Sequence, residues 1–91
     1  MNFRKVDRRM NGHSFFKHMA EFSNSTEDIL KFCDVREWCW EQWGPSREYY
    51  FWTRTEESRR NPAYCWLNND YNNRVYFATD KEAQWFGLRW M

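Results

Sequence analysis

Apolar positions along the chain follow two periods. Between Ser14 and Phe22 they alternate, with Phe16, His18, Ala20 and Phe22 on one parity and Lys17, Met19 and Glu21 on the other, which predicts a strand. From residue 26 the period lengthens to that of a helix. Ser25 is placed to cap it, Glu27 and Asp28 set negative charge where first-turn N–H groups lack partners, and Gly44-Pro45 stops it, giving a helix over 26–43. At about 100° per residue, Ile29, Phe32, Cys33, Arg36, Cys39, Trp40 and Trp43 share the apolar face, while Glu27, Lys31, Asp34, Trp38, Glu41 and Gln42 lie opposite.

Beyond Pro45, aromatic residues of both parities in Arg47 to Thr55 predict a central strand, and the charged run 56–62 predicts a loop. A further strand over 63–68 and another at Val75-Tyr76-Phe77-Ala78, separated by Asn69-Asp70-Tyr71-Asn72-Asn73, predict an antiparallel hairpin. Thr79 and Glu82 have the spacing of a capping box and open a last helix through Trp90, facing inward with Ala83, Phe86, Gly87 and Trp90. The order β-α-β-β-β-α implies an α+β two-layer sandwich of about four mostly antiparallel strands, with two helices on one face. The other face is then expected to meet water or a partner.

Composition refines this picture. Ninety-one residues make a single domain, with residues 1–13 expected to form a flexible basic arm carrying Arg4, Lys5, Arg8 and Arg9. Aliphatic residues are few, but 22% of the chain is aromatic and the net charge is +1, so the core is built from rings. Near-neutral charge gives no global attraction to nucleic acid or to an anionic membrane. No apolar stretch approaches the ~20 residues of a membrane span, and Met1 to Gly12 is too polar for a signal peptide, so a cytoplasmic protein is expected. Three cysteines, an odd number, point to reduced thiols, and Cys33 and Cys39 lie about 240° apart on the helix, out of bridging phase.

The chemistry-bearing residues suggest binding rather than catalysis. His13 and His18 have no sequence-defined nucleophile beside them, the glycines form no phosphate loop, and the cysteines lack metal-ligand spacing, so no enzyme activity, cofactor or metal is expected. If Cys65, Leu67, Val75 and Phe77 point to the helices, then Tyr64, Trp66, Arg74 and Tyr76 point to the open sheet face, joined by Tyr50, Trp52 and Arg54. Trp38, in the middle of the charged helix face, is a candidate partner contact, and Arg36, centred on the apolar face, is either a packed stem or a candidate anion-binding residue. Exposed Tyr, Trp and Arg with Glu48, Glu56 and Glu57 nearby favour a protein partner, or a homodimer through the sheet face. The alternative is single-stranded nucleic acid stacked on an aromatic and basic sheet.

The stretch Val35 to Pro45 (Val-Arg-Glu-Trp-Cys-Trp-Glu-Gln-Trp-Gly-Pro) and the ending Val75 to Trp90 resemble small proteins encoded by tailed bacteriophages. The resemblance covers the helix and the last third of the chain and carries over no site residues. It implies a setting in which a small single-domain protein binds and inhibits or modulates a host or anti-phage defence protein in the infected cytoplasm.

Overall fold

The computed structural model describes residues 1–7, 16–44, 63–68 and 73–91. Four strands, β1 (Asn2–Lys5), β2 (His18–Phe22), β3 (Tyr64–Asn68) and β4 (Asn73–Phe77), form one antiparallel sheet in the spatial order β1-β2-β4-β3. Two helices, α1 (Thr26–Trp43) and α2 (Asp80–Trp90), cover one face, so the fold is the expected α+β sandwich. The strand expected at 47–55, with Tyr50, Trp52 and Arg54, lies outside the described residues, and the described elements run β-β-α-β-β-α.

Local signals set the element ends. The Ser25 hydroxyl accepts from the Asp28 N–H at 3.2 Å, and Gly44 takes a positive φ of 85° while its N–H reaches the Trp40 carbonyl at 2.8 Å. Glycine suits that position because a side chain is strained there. At the start of α2 the Glu82 carboxylate accepts from the Thr79 N–H at 3.2 Å and from the Thr79 hydroxyl, which ties down the first turn.

The N-terminal expectation is corrected at its beginning. Asn2–Lys5 is an edge strand of the described sheet rather than part of an arm, with Phe3 opposite Ala20. Its anchor is the Phe3 ring, stacked between His18 at 5.8 Å and Phe86 at 5.6 Å. A four-residue strand with three exposed positions leaves no alternation to detect.

The main core lies between sheet and helices. Ala20, Phe22, Val75 and Phe77 from the strands meet Phe32, Val35 and Cys39 of α1 and Phe86 of α2. The opposite face is also buried, which corrects the expectation that it is open: Met19, Cys65 and Tyr76 are each 0% exposed and cluster with Phe16. Phe16 reaches that side because β2 begins only at His18, so the strand parity does not extend back to it.

Candidate functional site

Cross-strand register decides where the candidate residues go. Tyr64 pairs with Phe77 and Trp66 with Val75, and directly paired residues share a face, so Tyr64 and Trp66 point to the helices. The expected placement of these two is therefore reversed. Arg74 and Tyr76 do lie on the far side, but Tyr76 is fully buried and Arg74 is engaged. Its guanidinium meets Glu21 at 2.9 Å and donates to the Tyr76 hydroxyl at 3.2 Å, and Glu21 also pairs with Arg4 at 3.2 Å. Burial disfavours the Arg74 charge, but the contacts with Tyr76 and Glu21 outweigh it and raise the pKa. The expected aromatic platform is thus packed away at Tyr64, Trp66 and Tyr76.

Trp38 is corrected as well. Its ring makes edge contacts with Trp43 at 5.4 Å and with Trp90 and Phe86 at 6.3 Å, so it is half-buried between α1 and α2 rather than facing outward. The opposite error concerns Trp40, expected in the core and found 59% exposed. The true inward face of α1 runs through Phe32, Val35 and Cys39 at i, i+3 and i+7, rotated from the expected one by less than the ~100° of one residue step. Ile29 and Cys33 consequently emerge on the surface.

A groove of about 770 Å³ lies between the outer side of α1 and β3. Tyr64 and Trp66 line its inner side and Arg36 lies on Trp66, its guanidinium carbon 3.6 Å from the ring centroid and 5.4 Å from that of Phe32. Among the described residues the buried Arg36 Nε has no hydrogen-bond partner, and no carboxylate lies within ion-pair distance of this side chain. The Trp66 and Phe32 rings give it cation–π contacts. Tyr64 donates from its hydroxyl to the Gly44 carbonyl at 2.7 Å, fixing the end of α1 against β3, and burial pushes its pKa upward. Around the rim stand Trp40, Cys33 and three carboxylates, Asp34, Glu37 and Glu41.

A smaller hollow of about 530 Å³ lies on the α2 side, where Trp85 is 50% and Leu88 83% exposed. The Trp85 indole N–H donates to Gln42 at 2.9 Å and links the helices. His18 is remote from both hollows in role: its Nε2 meets Asp80 at 2.7 Å, joining β2 to the start of α2. Among the described residues no group of three His, Cys, Asp or Glu side chains is arranged to hold a metal, and no helix is long and apolar enough to cross a membrane.

No family model matches the chain, and no curated protein and no solved structure matches it.

Proposed function

We propose that this protein is a non-enzymatic protein-binding module whose partner docks in the groove between α1 and β3. One observation carries the reading: Trp40 stands 59% exposed at the rim of a groove whose wall holds Arg36 over the Trp66 ring. Tryptophan and arginine beside a concavity are the residue types that dominate binding energy at protein interfaces. Stacking on Trp66 holds the guanidinium in place, so little further side-chain entropy is lost on docking.

The resemblance to small tailed-bacteriophage proteins supports a host or anti-phage defence protein as the partner, inhibited or modulated by the contact in the host cytoplasm. Binding to single-stranded nucleic acid has less support, because Tyr64 and Tyr76 are buried and Asp34, Glu37 and Glu41 would repel phosphates at the groove.

The test is affinity capture from expressing or infected cells with the wild-type chain and with Trp40→Ala side by side. A protein retained stoichiometrically by the wild type and lost with Trp40→Ala is the expected result. Equal retention by both, or retention only of salt-sensitive oligonucleotides, would sink the reading.

A further inference from the structure

The rim of the α1 groove is arranged against the stability of its own helix. Asp34, Glu37 and Glu41 follow one another at i, i+3 and i+7, so each neighbouring pair sets like charges on one helical stripe. Glu41 also lies in the last turn, where the helix dipole is negative, and that turn has no basic residue. None of the three carboxylates has an ion-pair partner among the described residues. Beside this stripe stands the exposed Trp40. Like-charge spacing, an acid at the wrong helix end and a solvent-facing indole are separate local penalties, and all converge on one side of one groove. Local conflicts that fold stability does not explain concentrate at functional surfaces.

We infer that the occupant of this groove is a lysine- or arginine-rich segment of the protein partner, with a cationic side chain laid on the Trp40 ring between Glu37 and Glu41. This identification of the partner's chemistry rests on the protein-binding reading above. A cation over an indole face, flanked by carboxylates at a helix C-terminus, relieves all three penalties at once. The opposing term is Arg36, one positive charge against three rim carboxylates and the partial charge of roughly −0.5 at the helix end. One cation against three carboxylates leaves the described lining of the groove net negative. An acidic partner segment would meet the reverse balance.

The probes are three end-blocked peptides of equal length: alternating lysine and glycine, the same with glutamate for lysine, and the same with serine for lysine. Amide shifts along 34–43 are followed by NMR with the full chain. The lysine peptide is expected to move these signals saturably, with affinity that weakens as salt rises. Binding should fall at least about tenfold in the Glu37→Gln/Glu41→Gln double variant and in Trp40→Ala, while Glu27→Gln at the far end of α1 leaves it unchanged. Equal response to the glutamate peptide, or lysine-peptide binding indifferent to the double variant, overturns the inference. Trp40-dependent capture of a protein without preference for the lysine peptide also overturns it, leaving the protein-binding reading intact. Capture indifferent to Trp40→Ala removes that reading instead.

Discussion

Arg36 shows how one residue can serve packing and display together. Its guanidinium covers Trp66 at 3.6 Å while lining the groove, so its removal uncovers an indole and deletes a cation–π contact. Arg36→Ala should lower unfolding free energy by about 1–2 kcal/mol in urea titrations, and Arg36→Lys should recover only part, because an ammonium cannot lie flat on the ring. The cysteines differ just as sharply. Cys39 is buried and desolvation pushes its thiol up to about 12, Cys65 is buried, and Cys33 is exposed. A thiol reagent applied to the folded protein at mildly alkaline pH should modify Cys33 first, with Cys39 and Cys65 reacting only on unfolding. Three equally fast thiols would contradict the burial of Cys39 on α1 and of Cys65 on β3.

At the scale of elements, α1 is scaffold and also one wall of the proposed binding groove, and its two ends are treated differently. The N-terminus is capped by Ser25 and carries acids in the first turn, whereas the C-terminus carries Glu41 and no base. Glu41→Gln should therefore raise the melting temperature by about 2–4 °C, as expected when a few tenths of a kcal/mol of helix-end repulsion are removed from a domain of this size. A fall in melting temperature would mean that Glu41 stabilises the fold. The bounds of α1 and α2, their caps and the β3–β4 hairpin were all legible in the sequence, because caps, stops and turn residues act locally. The helix phase was not. Arg36, Trp40 and Trp43 pulled the expected apolar face to one side, and only centring on Phe32, Val35 and Cys39 restores it. Parity within the hairpin failed for a related reason: a slip of one residue in the assumed pairing exchanges the faces of Tyr64 and Cys65, and no local signal fixes that register.

At the scale of the whole molecule, the described sheet carries buried residues on both faces, and the candidate binding surface lies at its flank, between α1 and β3. Trp38 illustrates why its role was hidden. Its cover comes from Phe86 and Trp90 of α2, residues about fifty positions away, which no reading of α1 alone can supply. Polar ties of two carboxylates, one largely local and one between distant segments, also make the fold sensitive to acid. Asp28 is held below the usual carboxylate range chiefly by hydrogen bonds from Ser23, with the Met1 amine at 3.3 Å adding to them, and Asp80 chiefly by its hydrogen bond with His18. Carboxylates whose pKa is lower when folded stabilise the fold above their unfolded value, near 3.8, and lose that contribution as pH falls through the folded value. Stability measured by denaturant titration should thus decline below about pH 4, and Asp80→Asn should flatten that decline.

Trp40 is the residue on which the proposed interface turns. With the captured partner in hand, calorimetric titration of wild type and Trp40→Ala compares their affinities at matched fold stability. An interface anchored on this ring predicts a loss of at least about tenfold with the melting temperature nearly unchanged, since the side chain is mostly solvent-facing. Undiminished affinity in a fully folded Trp40→Ala protein would contradict the placement of the binding surface on the α1 groove.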